Sequence, residues 1–214
     1  SVGDSLLDYL SEKEILKALE KTKDQYSWTD KKFGDVYIYK ETENYEYASV
    51  SVKRKDKKYI IYAVRGMIDI EDINVCLKKR NVISDEFQEI FNNIKKSKKK
   101  FKSSADPSGE SLIHAIYFTF DSGDEIELTC YEFGEKMTSP NGLDVTLITK
   151  ELINWLEKFS KHYVDRSHEE YLQAVMPTYQ GENHTSNWLN KEFAKTGADS
   201  FIDKVFRTDI TKLI

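Results

Sequence analysis

Ile113-His114-Ala115-Ile116-Tyr117-Phe118-Thr119-Phe120, then Asp121-Ser122-Gly123-Asp124, then Glu125-Ile126-Glu127-Leu128-Thr129-Cys130-Tyr131-Glu132-Phe133 read as strand, tight turn and returning strand. Ile126, Leu128 and Cys130 fall at period two, the spacing that puts alternate side chains on one face of a sheet. The Asp-Ser-Gly-Asp between the strands supplies turn chemistry, so the stretch predicts an antiparallel hairpin.

Downstream, Ser139-Pro140-Asn141-Gly142 marks another turn before Leu143, Val145 and Leu147, again at period two. Thr149 is placed to cap a helix in which Leu152, Leu156, Phe159 and Tyr163 form one stripe with Trp155 beside it. Upstream the same order is expected. Val36 to Tyr39, with Tyr37 and Tyr39 flanking Ile38, and Tyr45 to Val52 read as strands around a polar turn from Glu41 to Asn44. Lys53 to Lys58 turn the chain, and Tyr59 to Val64 return. Ile73 to Leu77 read as a further short strand, and Ser84 as the cap of a helix carrying Phe87, Ile90, Phe91 and Ile94. A first helix over 11–24 opens on Ser11-Glu12-Lys13-Glu14, a capping box in pattern.

These elements predict an α+β fold: antiparallel sheet built from two similar hairpin–strand–helix halves, with an N-terminal helix and a helical C-terminal tail. The expected organisation is a single domain over 1–214, with βββα halves at 33–102 and 111–164 and a packed tail at 167–214. Gly66 and Gly134 each close a hairpin, Ile73–Leu77 resembles Leu143–Leu147, and Phe91 matches Phe159. The offset is about 70 residues, which reads as an internal duplication.

The chain has 214 residues, 39% hydrophobic and 32% charged, with 13 Tyr, 11 Phe and 3 Trp. That aromatic content is enough for a core and argues against intrinsic disorder. No apolar run reaches the ~18 residues that a spanning helix needs, so a soluble chain without a transmembrane segment is expected. It opens Ser1-Val2-Gly3-Asp4 without Met, which goes with a removed leader or a start inside the gene. The compartment is left open, with export to the periplasm or beyond favoured over the cytoplasm. Cys76 and Cys130 lack metal-site or redox spacing and read as two buried thiols, a single bridge between them being the alternative for an exported protein.

Charge is the strongest signal. Between Lys53 and Lys102 lie 15 Lys and Arg against 7 Asp and Glu, whereas the rest of the chain holds 17 and 30. Lys95, Lys96, Lys98, Lys99, Lys100 and Lys102 form the densest run, and they read as a solvated loop. The hairpin at Asp121, Asp124 and Glu125 is acidic. The run is lysine without arginine, which argues against base or bidentate phosphate recognition, so nucleic acid is not the expected partner.

Phosphate-binding loops, nucleophile elbows and metalloprotease motifs are absent from the sequence. No cofactor or metal is expected. The reading is therefore a non-catalytic protein-binding or inhibitory module, by analogy an immunity-type protein that neutralises a toxin, whose partner carries a complementary charged patch. Tyr37 and Tyr39 are candidate exposed anchors; Asp121, Asp124 and Glu125, or Lys98, Lys99 and Lys100, are candidate docking charges. Two alternatives stand beside it: a hydrolase or metal enzyme using His162, Asp165 and His168, and an anionic-surface or phosphate binder working through Lys95 to Lys102.

Overall fold

The structure, a computed structural model, describes residues 2–38, 45–91, 94–103, 106–137 and 139–163. Its elements are α1 (Glu12–Lys21), β1 (Phe33–Ile38), β2 (Tyr47–Lys53), β3 (Ile61–Asp69), α2 (Ile73–Ile90), β4 (Lys95–Lys102), β5 (Leu112–Thr119), β6 (Glu125–Glu132), β7 (Gly142–Ile148) and α3 (Lys150–Tyr163). The seven strands form one antiparallel sheet in the order β1-β2-β3-β7-β6-β5-β4. The fold is thus α+β.

Register sorts the side chains onto two faces, because directly paired residues point the same way. Val36, Val50, Val64, Leu147, Ile126 and Phe118 make a continuous apolar row on one face. Helices α1 and α2 lie on it. Leu19 and Ile15 of α1 pack with Val36, Val50 and Val64, while Cys76, Phe87 and Phe91 pack with Phe118, Ile126 and Leu128. The opposite face carries Phe33, Ala63 and Ile148, which α3 covers with Leu152 and Trp155. Burying these side chains is the main stabilising contribution, at about 25 cal/mol per Å² of apolar surface.

Local chemistry accounts for the boundaries. Ser11 and Glu14 cap α1 reciprocally, each satisfying the other's free amide. In the β5–β6 hairpin Gly123 sits at φ 87°, a conformation that side chains bearing a Cβ rarely adopt, and its amide donates to the Phe120 carbonyl at 2.8 Å.

Three expectations are corrected. Ile73–Leu77 is the first turn of α2, not a strand. Asp72 caps that helix by accepting from the Asn74 amide at 2.8 Å. The β-branched residues there mimic a strand, but the buried stripe is Cys76, Arg80, Ser84 and Phe87, at helical spacing. Ser84 is therefore a mid-helix buried residue and not a cap, and the match of Ile73–Leu77 to Leu143–Leu147 pairs a helix with strand β7. Second, Lys95–Lys102 is strand β4, not a loop: its backbone bonds come from β5, and none of its side chains is buried. Third, Cys76 and Cys130 are not free thiols but a disulfide joining α2 to β6. Both sulfurs sit at 0% exposure on the helix-covered face.

The expected helical tail at 167–214 lies outside the described residues. No described helix is long and apolar enough to cross a membrane.

Candidate functional site

A sheet has two edges, and this one treats them oppositely. The six residues of β1 are all buried. Along that edge the Thr22 hydroxyl donates to the Asp35 carbonyl at 2.8 Å, and Arg54 Nε donates to the Phe33 carbonyl at 3.0 Å. The chain thus covers β1 with its own groups. Strand β4 is left open: it pairs only with β5 among the described strands, and all but one of its residues are exposed.

Lysine fills that edge. Register with β5 places Lys96, Lys98, Lys100 and Lys102 on the face shared with α2, and Lys95, Ser97, Lys99 and Phe101 on the other. Lys96 Nζ lies 3.8 Å from Asp85 of α2 and 5.5 Å over the Phe118 ring, while Lys99 Nζ lies 5.3 Å over the ring of Tyr117. The ammonium groups of Lys96 and Lys99 are thus placed over aromatic rings, where the ring quadrupole attracts them. Lys98, Lys99 and Lys100 are exposed, as are Lys78 and Lys79 of α2.

The second cluster was not foreseen. On the face that carries α3, Tyr37, Ser49, Arg65, Thr146, Glu127, Tyr117 and Ser97 form a polar row across all seven strands. Arg65 of β3 donates from Nε and Nη2 to Asp144 of β7, its diagonal neighbour. Burial pushes the Asp144 carboxyl up, against the opposing pull of Arg65. Burial, and after it the Glu125 charge, push the Glu127 carboxyl up to about 7. Asp35 accepts from Ser51 Oγ at 2.6 Å, Gln25 Nε2 at 2.8 Å and the Tyr26 hydroxyl at 2.9 Å. Asp35 is occupied as an acceptor at both oxygens, which is how a buried polar network is stabilised, and Asp144 accepts from Arg65 at Oδ2 while its buried Oδ1 has no hydrogen-bond partner among the described residues.

The sequence candidates scatter. Tyr37 is 6% exposed and its hydroxyl accepts from Gln25 Nε2 at 2.7 Å, so it is no exposed anchor; strand β1 is covered on both faces. Tyr39 lies outside the described residues. Asp121 is exposed in the β5–β6 turn. Asp124 Oδ1 accepts from the Lys150 amide at 2.8 Å, satisfying a free donor at the start of α3. Glu125 accepts from the Thr119 hydroxyl at 2.8 Å. Two of the three hairpin acids thus have local structural partners.

Of the enzyme candidates, His162 is on α3, and Asp165 and His168 lie outside the described residues. Ser111 donates to Asp106 Oδ2 at 2.6 Å and His114 Nε2 meets Glu132 Oε2 at 3.2 Å, so these two do not form a nucleophile–base pair with each other. Among the described residues no group of three or more His, Cys, Asp or Glu is arranged to hold a metal ion.

No protein-family model matches this chain, and no curated protein is similar to it at a significant level. Among solved structures, a mutant form of the protein Mog1 is similar over 70% of this chain and 77% of that one, at 8% identity and a TM-score of 0.24. So loose a likeness says nothing about function.

Arg65 and Asp144 carried a signal that went unread. Each is a lone charge in an otherwise apolar strand segment, Ala63-Val64-Arg65-Gly66-Met67 and Leu143-Asp144-Val145. Pairing them requires knowing that β3 and β7 are neighbours, and 79 residues separate the two.

Proposed function

We propose that this chain is a non-catalytic module that binds another protein through an acidic patch on that partner, with the lysine-rich outer strand β4 as its docking element. The observation that carries the reading is an exposed sheet edge bearing six lysines, with no further strand paired to it among the described residues. Charges of one sign gathered on one strand speed encounter with an oppositely charged surface and orient it on arrival. Lys98, Lys99 and Lys100 are the central docking charges. Asp121 keeps a lesser role as the exposed acid of the opposing hairpin. Toxin neutralisation is the narrower form of this proposal, and it requires that docking cover the partner's working surface. Work in an oxidising compartment fits the Cys76–Cys130 bond, since such bonds persist mainly outside the reducing cytosol. Descent from a duplicated βββα unit has only the order β1-β2-β3-α2 and β5-β6-β7-α3 in its favour, since α2 and α3 lie on opposite faces of the sheet.

The test is a fluorescence titration of labelled poly-L-glutamate, run with the unaltered chain and with Lys98→Glu, Lys99→Glu and Lys100→Glu combined. At low salt the triple variant should bind at least about tenfold more weakly, and the unaltered chain should lose affinity steeply as salt rises. Asp121→Lys should change little. Equal affinity in the triple variant and the unaltered chain would remove β4 from the site. A duplex DNA or polyphosphate probe bound more tightly than poly-L-glutamate would transfer the reading to a phosphate binder.

A further inference from the structure

We infer that β4 receives its partner as an eighth strand: an extended acidic segment hydrogen-bonds along the open edge in antiparallel register. This rests on the docking reading above and specifies the shape and pattern of what docks. An outer strand presents a row of backbone N–H and C=O groups that a further strand can satisfy. No hydrogen bond within the described residues reaches the outward backbone of β4, whereas the opposite edge is closed by Thr22 and Arg54. Eight residues of uninterrupted strand are long enough for a full set of pairings.

Charge selects the occupant. A second copy of this chain would set lysines against lysines, which is the device by which edge strands resist self-association. An acidic strand meets the opposite condition at the same positions. Register fixes the pattern. Opposite Lys96, Lys98, Lys100 and Lys102, on the α2 side, every partner position favours an acid. On the other side the positions opposite Lys95 and Lys99 favour acids, the one opposite Ser97 a small residue, and the one opposite Phe101 an apolar residue. Phe101 is 42% exposed, so an apolar neighbour would cover it. Read antiparallel from Lys102 to Lys95, the preferred segment is acid, apolar, acid, acid, acid, small, acid, acid.

The test uses the full chain and the labelled peptide Glu-Val-Glu-Glu-Glu-Ser-Glu-Glu, followed by fluorescence anisotropy at low salt. Two further peptides of identical sequence are N-methylated at alternate residues, one in each phase. All three carry the same charge, but in an added strand only one phase points its methyl groups at β4. Strand addition predicts that one phase binds like the unmodified peptide and the other at least about tenfold more weakly. Equal binding of all three would overturn strand addition while leaving charge-driven docking in place. Failure of all three peptides, with poly-L-glutamate still bound, would overturn it equally. Failure of poly-L-glutamate as well would sink the docking reading itself.

Discussion

Replacing Cys76 and Cys130 together by alanine is expected to lower the stability of the chain by about 4 kcal/mol, on the loop-closure argument for a cross-link of this span. The bond joins residues 54 apart in sequence, so it removes much of the freedom the unfolded chain would otherwise regain. It also ties α2 to β6 within the cluster that contains Phe87, Phe118, Ile126 and Leu128. Urea denaturation of the unaltered chain, with and without reductant, checks this without any mutation. The midpoint should fall in reductant to near that of the double variant. Identical midpoints in the two conditions would mean that the sulfurs are not bonded. Because both cysteines are fully buried, the reductant must be present through a complete unfolding and refolding cycle.

The second large effect is expected at Arg65. Its guanidinium is the cation bonded to Asp144, whose side chain is only 3% exposed. Arg65→Met leaves that carboxylate buried without a counter-charge, which should cost about 3–5 kcal/mol. Part of the loss should disappear at acid pH. Burial already raises the Asp144 carboxyl, and loss of Arg65 raises it further. As pH falls through that raised value the group is neutralised, and the penalty for burying a charge goes with it. Combining Arg65→Met with Asp144→Leu should recover most of the stability, because an apolar pair in place of a buried ion pair is often neutral or stabilising. Urea midpoints of the two single variants and the double variant give the coupling directly. Purely additive losses would show that the two side chains do not act as a pair.

Elements with strong local signals were legible. The hairpin around Asp121-Ser122-Gly123-Asp124 pairs Thr119 with Glu125, as alternation and turn chemistry require. The Ser11–Glu14 cap needs only four residues to declare itself. Other features were not legible, for distinct reasons. Strand β4 has no apolar alternation because its stability comes from backbone bonds to β5, and periodicity of side chains cannot register those. Helix α2 begins with Ile73, Val75 and Cys76, residues that favour strands, and only its packing on the sheet reveals Arg80 and Ser84 as members of a buried helical stripe. The Arg65–Asp144 pair and the Cys76–Cys130 bond depend on neighbours far apart in sequence. Tyr37 was misplaced because alternation identifies two faces without saying whether a second layer covers the other one; here the segment bearing Gln25 and Tyr26 does.

For the candidate site, composition located the lysines, and the sheet order explained them. A run of lysine in a loop would be ordinary solvated charge. The same run on an open outer strand presents backbone groups and charge together, along a line that an extended chain can follow.

Amide hydrogen exchange along β4, with and without the unmodified acidic peptide, measures that claim most directly. The account predicts slowed exchange at alternate residues of Lys95–Lys102, those whose amides point away from β5, with β1 unaffected. Exchange in β4 that is unchanged by saturating peptide would contradict it.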